Sequence, residues 1–502
     1  MVGRGPFPNL SAEEAAELIP HEALVAFSAF TAAGAAKAVP RALAARAQRL
    51  HAAGKPFAIR VLTGASTGPS IDDAMAEAAA ISWRAPYQTS AALRQQINDG
   101  RVAFVDMHLS HLPQAVLHGF FGPLDVAVIE ATEVTPDGRV YLTNSVGASP
   151  TFLQAARKVI VEVNRFHYRK ASEMADIVIP KPPPHSNAID LDHPLERIGH
   201  TYARVDPDKV VGVVECAHPD ELGDFTLPDA VSQAIAGHVV RFLLDEVAAD
   251  RIPPEFLPLQ VGVGNIANAV LAGLGEHREI PNFLMFTEVF QAAAFDLMRR
   301  GRLLGASTCA LTLLPLQLIE LVNEFEFFSR RLVLRPQEIS NNPAVVRQLG
   351  VIALNTALEV DLYGHVNSTH VLGRTMMNGI GGSGDFTRNA YLSIFMCPSV
   401  AKAGRISTIV PMCTHIDHNE HSVQVVVTEH GLADLRGLPP APRAQRIIER
   451  CAHPAYRDVL HRYVRQAGPG HIRHDLSRCF ELHQNLLRYG AMLPDFEGCA
   501  HA

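Results

Sequence analysis

The sequence has no CxxC pair, and its cysteine count is odd. The seven cysteines lie far apart, at Cys216, Cys309, Cys397, Cys413, Cys451, Cys479 and Cys499. Such spacing favours free thiols in a reducing compartment. The N-terminus lacks the apolar core of a secretory signal, and no apolar run is long enough to cross a bilayer. We therefore expect a cytoplasmic protein with no membrane partner, unless an organellar presequence has already been removed.

Basic blocks, heptads, tandem repeats and low-complexity tracts are also absent. The 44 basic and 51 acidic residues give a formal net charge of -7, and they are dispersed along the chain. A nucleic-acid partner is therefore not expected. What remains is ordinary globular composition, 48% hydrophobic and 19% charged, over 502 residues. That length exceeds what one hydrophobic core usually supports, so we expect two or more domains.

Short β-branched runs alternate with helical patterns along the chain. Runs at 57–62, 102–105, 126–129 and 159–163 are bounded by turn residues, and a second cycle begins at 257–264. This alternation favours buried parallel strands with helical crossovers, hence an α/β fold. We place one domain at 1–220 and a second at 221–502. A capping box at residues 11–14 opens a helix predicted to continue to about residue 53, and residues 229–248 form another. Residues 135–138 predict a hairpin turn.

Two glycine-rich segments are candidates for ligand contact. Residues 260–270 follow an apolar run and open a helix, whose free N–H groups would favour negative charge. They lack the third glycine of a dinucleotide fingerprint and the Gly-Lys-Ser/Thr end of a P-loop. Residues 378–386 form the densest glycine cluster in the chain. That cluster predicts either a phosphate cradle or oxyanion hole, or a flexible surface loop.

One carboxylate, Glu288, stands inside the apolar run 283–290. A glutamate in such a setting costs free energy unless it is paired, hydrogen-bonded or functional, and burial and neighbours can tune its pKa. The pattern alone favours an edge-strand glutamate that faces water. It therefore leaves a structural and a functional role open for Glu288.

Histidines at three-residue spacing suggest a second chemistry. His415, His418 and His421 would share one face of a helix, with Asp417 and Glu420 nearby. The flanking segments 407–411 and 422–428 resemble strands, however, and the HExxH pattern is absent. We therefore expect no catalytic metal there. The same holds for His108 and His111, which are more typical of buried or rim histidines.

Several stretches together resemble the acetyl-CoA hydrolase/transferase family, which includes succinyl-CoA:acetate CoA-transferases. The resemblance implies a class I CoA-transferase fold, in which two similar open α/β domains have the active site at their interface. The matching stretches run in order across nearly the whole chain, at 63–69, 84–88, 106–110, 260–270, 286–289, 334–343, 355–359, 378–389 and 427–436.

The resemblance also assigns roles to individual residues. In that family the glutamate of the Thr-Glu-Val segment, here Glu288, is the nucleophile that carries CoA as a glutamyl thioester. Asn341 matches an asparagine near the reacting carboxylate, although Asn342 is adjacent. Ser66 matches a serine at the small-carboxylate pocket. The residues implied for oxyanion stabilisation and CoA contact are Gln260, Val261, Gly262, Val263, Gly264 and Gly382.

The implied activity is CoA transfer between an acyl-CoA, such as acetyl-CoA or succinyl-CoA, and a small carboxylate, such as acetate or succinate. Coenzyme A is then a substrate, with no separate cofactor or metal, and a homodimer is expected. The chain has Phe290-Gln-Ala292 where the family usually has Leu-Gln-Asp, and His430 where Gln is usual. The first departure puts the identity of the acyl group in doubt.

Three other functions remain open from the sequence. The same residues would serve an acetyl-CoA hydrolase, because exclusion of water decides between the two activities. A non-catalytic nucleotide-binding or regulatory protein could also use this fold. A metalloenzyme built on His415, His418 and His421 is the most distant alternative.

Overall fold

The structure, a computed structural model, describes residues 7–223 and 228–494. By internal contacts the chain divides into two compact units. Unit 1 comprises Met1–Asp224, Leu284–Leu349 and Asn378–Asp385, and unit 2 comprises Phe225–Phe283, Gly350–Met377 and Phe386–Ala502. The first break lies near the predicted boundary at 220/221. Residues 284–349, which include Glu288, are grouped with the N-terminal residues, whereas the sequence prediction placed them in the C-terminal domain.

Unit 1 is built on a nine-stranded sheet in which parallel pairs dominate. Seven strands form a parallel series, each paired in parallel with the next. The hairpin strand Arg139–Leu142 pairs antiparallel with both Val126–Val134 and Ala203–Arg204. The parallel series runs in the order Ala103–Phe104, Ile81–Ala85, Ile59–Leu62, Leu24–Phe27, Val126–Val134, Lys158–Asn164 and Val210–Cys216.

The strand sequences explain this arrangement. Val126–Val134 begins with seven consecutive buried residues, as expected for a central strand covered on both faces. The predicted hairpin is confirmed, because strands Val126–Val134 and Arg139–Leu142 pair on either side of residues 135–138. The capping box is also confirmed: Ser11 and Glu14 exchange side-chain and backbone hydrogen bonds at the start of helix Ala12–Glu17.

The continuous helix predicted to about residue 53 is wrong. A strand, Leu24–Phe27, interrupts it before helix Ala38–Ala52 begins. All four residues of that strand are buried at the centre of the sheet. Tertiary burial therefore overrides the helical preference of the alanine-rich surroundings.

The remaining elements of unit 1 complete its layers. Its helices pack against the sheet to form an apolar core that includes Val25, Phe27, Val39, Leu43 and Val128. The further strands are Val289–Gln291, Leu303–Thr308, Ala310–Thr312 and Leu332–Leu334, with Phe283–Phe286 at the division between the units. The α-helices are Ala12–Glu17, Ala38–Ala52, Ala74–Glu77, Ala91–Asn98, His111–Leu117, Ser149–Ala155, Ala292–Arg299, Pro315–Asn323, Phe325–Ser329, Gln337–Ser340 and Pro343–Leu349, with Pro69–Asp73, Arg169–Met174 and Pro207–Lys209 as π or 3₁₀ turns.

Unit 2 contains its own parallel series, Leu259–Val261, Ile352–Thr356, Leu392–Met396 and Val425–Thr428, closed by antiparallel Gly431–Asp434. The predicted helix at 229–248 is confirmed as Ala230–Ala248, with Asp229 as its N-cap. Both units thus confirm the α/β class. The other helices of this unit are Asn265–Glu276, Pro440–Cys451, Pro454–Gln466 and Glu481–Tyr489, and helix Ser383–Thr387 spans the division. The short strands are Glu359–Asp361, Val366–Asn367, His370–Val371, Thr375–Met376, Val400–Ala401, Ile406–Ser407 and Ile409–Val410.

No helix among the described residues is both long and apolar enough to span a membrane. The six described cysteines are all free thiols, and all but Cys216 are buried. Cys499 lies outside the described residues.

Candidate active site

Glu288 lies at a bend between strands Phe283–Phe286 and Val289–Gln291 of unit 1. Its backbone carbonyl accepts hydrogen bonds from the backbone N–H groups of Cys309 (2.9 Å) and Ala310 (3.2 Å) and from the Thr308 hydroxyl (2.9 Å). Three donors on one carbonyl fix the backbone at this bend. Glu288 therefore lies between the two strands and belongs to neither of them. The role of an edge-strand residue, considered from the sequence, is not observed.

Asn341 is the direct partner of the Glu288 carboxylate. Its Nδ2 donates to Glu288 Oε1 at 2.6 Å and to Asp385 Oδ2 at 3.2 Å. Asn341 is fully buried at the end of helix Gln337–Ser340, and its Oδ1 has no hydrogen-bond partner among the described residues. The neighbouring Asn342 instead donates to the Glu338 carbonyl. The geometry thus places Asn341, rather than Asn342, at Glu288.

The glycine-rich loop 378–385 approaches the same carboxylate. A Cβ added at Gly382 would lie 1.8 Å from Glu288 Oε1 and 2.3 Å from Asn341 Nδ2. No side chain fits there without moving the carboxylate or the amide. Gly382, Asn341 and Glu288, three of the predicted site residues, therefore meet at one point within unit 1.

Hydrogen bonds hold this loop against the N-terminal part of unit 1. The Ile380 N–H donates to both carboxylate oxygens of Asp106, at 2.8 and 3.0 Å. Arg94 Nη2 donates to Asn378 Oδ1 at 2.9 Å. Asp385 accepts from the backbone N–H and the hydroxyl of Ser110, at 3.0 and 2.6 Å. The loop is therefore an ordered wall of the site rather than a flexible surface loop.

Burial controls the charge of Glu288. Desolvation is the largest effect and raises the pKa of Glu288 to about 7. The hydrogen bond from Asn341 lowers this pKa, and the neighbouring charge of Asp385 raises it. A weakly solvated carboxylate is a stronger nucleophile than one in water, provided that it is ionised.

The other predicted site residues are Ser66, in unit 1, and the turn 260–264, in unit 2. Ser66 is nearly buried and lines a cavity of about 470 Å³ in unit 1. The cavity wall carries hydroxyl groups and carboxylates. Its lining includes Thr31, Thr67, Thr89 and Ser90 together with Asp72, Asp73 and Glu221.

The turn 260–264 belongs to unit 2. Gln260 is buried and exchanges side-chain hydrogen bonds with Asn355. The turn continues through Val261 and Gly262 to Val263, which is 56% exposed. Gly264, with a φ of 116°, then caps the N-terminus of helix Asn265–Glu276. This strand–turn–helix unit confirms the predicted local structure and leaves the tip of the turn open to solvent.

The three spaced histidines do not share a helix face, because none of them lies in a helix. His415 Nε2 contacts Asp417 at 3.2 Å, and buried His418 packs against the Phe395 ring. His421 is 80% exposed and lies near Glu420. His108 and His111 pack edge to face, with ring centroids 5.4 Å apart.

Sequence reasoning missed Asp385 and Ser110 as members of the site. Both lie inside stretches that carried the family resemblance, 378–389 and 106–110. Only the fold shows that these two stretches meet beside Glu288. An aspartate directly after a Gly-Ser-Gly run was the available signal.

Comparison with known proteins identifies the family. The family model for the acetyl-CoA hydrolase/transferase N-terminal domain matches residues 2–215, and the C-terminal domain model matches residues 319–464. A propanoyl-CoA:succinate CoA transferase from Escherichia coli (strain K12) is 56% identical over 97% of this chain and 99% of its own length. The chain belongs to the acetyl-CoA hydrolase/transferase family. It is accordingly an enzyme of the acyl-CoA transferase or hydrolase kind.

Other relatives are named for one or the other of two activities, CoA transfer and acetyl-CoA hydrolysis. A succinyl-CoA:acetate CoA-transferase from Clostridium kluyveri is 43% identical over 96% of this chain and 90% of its own length. An acetyl-CoA hydrolase from Schizosaccharomyces pombe is 41% identical over 94% of this chain and 93% of its own. The fold is shared with a crystal structure of 4-hydroxybutyrate CoA-transferase from Porphyromonas gingivalis, at a TM-score of 0.61 and 22% identity, covering 91% of this chain and 97% of that one.

Proposed function

We propose that this enzyme transfers CoA between a short acyl-CoA and a small carboxylate, with Glu288 as the nucleophile. The observation that carries the proposal is the convergence of Asn341 and Gly382 on the Glu288 carboxylate. Propanoyl-CoA or succinyl-CoA as donor and acetate or succinate as acceptor are the substrates that the relatives' names support.

The chemistry needs no net proton transfer. The Glu288 carboxylate attacks the thioester carbonyl of the acyl-CoA, and the C–S bond breaks to give a mixed anhydride and CoA thiolate. The thiolate attacks the Glu288 carbonyl, which releases the acyl group as a free carboxylate and leaves a glutamyl-CoA thioester. An incoming carboxylate attacks that thioester and reverses the sequence. Each step conserves the energy of the thioester bond.

The surrounding residues supply orientation and charge stabilisation. Asn341 donates to the nucleophile, and the backbone at Gly382 lies close enough to serve the developing oxyanion of each tetrahedral intermediate. We assign Ser66 to the small-carboxylate pocket, and Gln260, Val261, Gly262, Val263 and Gly264 to CoA binding. We also propose a cytoplasmic homodimer with CoA as a substrate and no separate cofactor.

Hydrolysis of acetyl-CoA is the second candidate, because relatives named acetyl-CoA hydrolase are about as similar as the 43% identical transferase. The higher identity to a named transferase, 56%, favours transfer. Release of free CoA from propanoyl-CoA, followed with and without added succinate, tests the choice. Transfer predicts succinyl-CoA formation that depends on succinate and little free CoA without it. Equal release of free CoA in both reactions would establish hydrolysis.

A further inference from the structure

Asp385 is the least explained charged group beside Glu288. It is 4% exposed, follows the glycine-rich loop, and accepts three hydrogen bonds. Two come from the backbone and hydroxyl of Ser110, and the third comes from Asn341 Nδ2. A buried carboxylate so close to the half-buried Glu288 is costly, because like charges repel in a weakly solvated site. Its presence calls for a function that outweighs this repulsion.

The Asn341 amide is held by two acceptors at once. Its NH₂ group has two hydrogens, one directed to Glu288 Oε1 and the other to Asp385 Oδ2. A rotation of the amide by 180° would turn Oδ1 toward both carboxylates and lose both hydrogen bonds. Glu288 alone cannot secure this orientation, because its charge is consumed when its oxygen becomes acylated. Asp385 is chemically unchanged throughout and remains an acceptor.

We propose that Asp385 is a positioning residue that keeps the Asn341 amide directed at Glu288 through every covalent state of the nucleophile, with Ser110 holding Asp385 in place. The inference rests on the proposed function, because it concerns the same glutamyl-CoA cycle. Asp385 acts through Asn341 and does not itself touch the reacting carbonyl.

The titratable groups around this pair are few. His108 faces Asp385, and its charge lowers the pKa of that carboxyl, while burial raises it. Tyr87 and Cys309 face Glu288, and burial raises the pKa of Tyr87 to about 12 and that of Cys309 still higher, so both stay neutral at working pH. Of these groups, Asp385 is a charge that raises the pKa of Glu288, so its removal has a predictable sign.

A double-mutant cycle tests the inference. The rate of glutamyl-CoA formation is measured in single turnover for the wild type, Asp385→Ala, Asn341→Ala and the double variant. Losing a charge-assisted hydrogen bond should slow Asp385→Ala by roughly 10- to 100-fold. In the Asn341→Ala background the same change should have little further effect. Independent, multiplying losses would overturn the proposal, as would an unchanged rate in Asp385→Ala.

Two further variants make the result decisive. Asp385→Asn keeps an oxygen facing Asn341, so it should recover most of the rate. The acid limb of its pH–rate profile, which is the fall in rate as Glu288 becomes protonated, should also move to lower pH, because the like charge that raises the pKa of Glu288 is gone. Recovery no better than that of Asp385→Ala, or a limb that moves upward, would contradict the inference.

If Asp385→Ala does not fold, the cycle is run with Ser110→Ala, which removes only the 2.6 Å hydrogen bond to Asp385 Oδ1. Its smaller loss should likewise vanish in the Asn341→Ala background.

As a matched control, Asp125→Asn removes the charge of a carboxylate that accepts from the Leu24 N–H, and its effect should simply add. Absence of any adduct in the wild type would refute the proposed function itself, whereas a normal wild-type adduct with an additive cycle would refute only the inference about Asp385.

Discussion

At the scale of single residues, the site depends on a carboxylate that is kept partly uncharged. Removing water from Glu288 raises its pKa to about 7, although the Asn341 hydrogen bond opposes the shift. The nucleophile must be ionised to attack, so the desolvation that strengthens it also limits its availability near neutral pH. Substitutions around Glu288 are therefore expected to change pH dependence as well as rate.

The first prediction is an acid limb in the rate of glutamyl-CoA formation. Below pH 7 the rate should fall, approaching tenfold per pH unit, because the raised pKa of Glu288 leaves it increasingly protonated. Stopped-flow mixing with acyl-CoA across about pH 5–9 measures the limb, because this range covers both the falling limb and the plateau above the pKa of Glu288.

A control is needed because burial also raises the pKa of Glu338 to about 7. Glu338 accepts from Gln114 and makes no hydrogen bond with Glu288. The variant Glu338→Gln should keep the acid limb, whereas Asn341→Ala should move it to higher pH by removing a hydrogen bond that lowers the pKa of Glu288. Loss of the limb in Glu338→Gln would show that Glu338, and not Glu288, is the group whose protonation lowers the rate.

At the scale of elements, the loop 378–385 shows how glycine composition and anchoring act together. Asp106 and Ser110 hold its two ends, and Gly382 occupies the point of closest approach to the nucleophile. The loop can approach so closely only because one position has no side chain, and it stays there because Asp106 accepts from the Ile380 N–H and Asp385 accepts from Ser110.

Gly382→Ala is accordingly expected to abolish most activity, by roughly a hundredfold or more, because the new methyl group would displace Glu288 or Asn341. Thermal unfolding should change far less than activity. Gly237→Ala is the matched control: Gly237 is exposed within helix Ala230–Ala248, and a methyl group added there would meet no atom within 4 Å. That change should leave activity intact and stabilise by about 0.5–1 kcal/mol. Normal activity in Gly382→Ala would refute the packing argument.

The sequence predicted individual helices, strands and turns better than the contacts between distant segments. The capping box, the hairpin turn and helix Ala230–Ala248 follow from local patterns, and the structure confirms them. Strand Leu24–Phe27 was missed because its identity depends on burial at the centre of a sheet rather than on its own residues. The Asp385–Asn341 contact joins residues 44 positions apart, which no local pattern encodes.

At the scale of the whole molecule, a buried charge network helps to hold unit 1 together. Lys37 Nζ lies 2.6 Å from Glu130 and 3.1 Å from Asp220, with all three side chains almost fully buried. His167 joins the same two carboxylates, at 3.3 and 3.6 Å. Burial would raise the pKa of Glu130, but the Lys37 charge and the nearby His167 outweigh it and hold that pKa below its usual range. Glu130, His167 and Asp220 could also hold a metal by geometry, but the Lys37 ammonium already pairs with both carboxylates.

Lys37→Met should therefore destabilise the protein by about 3–5 kcal/mol, because it leaves two carboxylates buried without their cation. Urea denaturation followed by circular dichroism measures the loss. Adding Glu130→Gln to Lys37→Met should restore part of the stability by removing one of the unpaired charges. A single variant as stable as the wild type would show that the network contributes little.

The family assignment rests on matches that extend over nearly the whole chain. Reaction type was accessible from the sequence only through the family resemblance, because the pattern around Glu288 by itself left a structural role open. Choice of acyl group was not accessible, because it depends on the shape of surfaces assembled from distant segments, such as the cavity lined by Ser66 that we propose as the small-carboxylate pocket.

The central claim, that Glu288 carries CoA covalently, is tested most directly by the intact mass of the protein after incubation with acyl-CoA. The wild type should gain the mass of a glutamyl-bound CoA, and borohydride should convert the adduct to a reduced side chain without CoA. Glu288→Gln should remain at its unmodified mass under both conditions while retaining its thermal unfolding transition. A CoA adduct that still forms on Glu288→Gln would contradict the account.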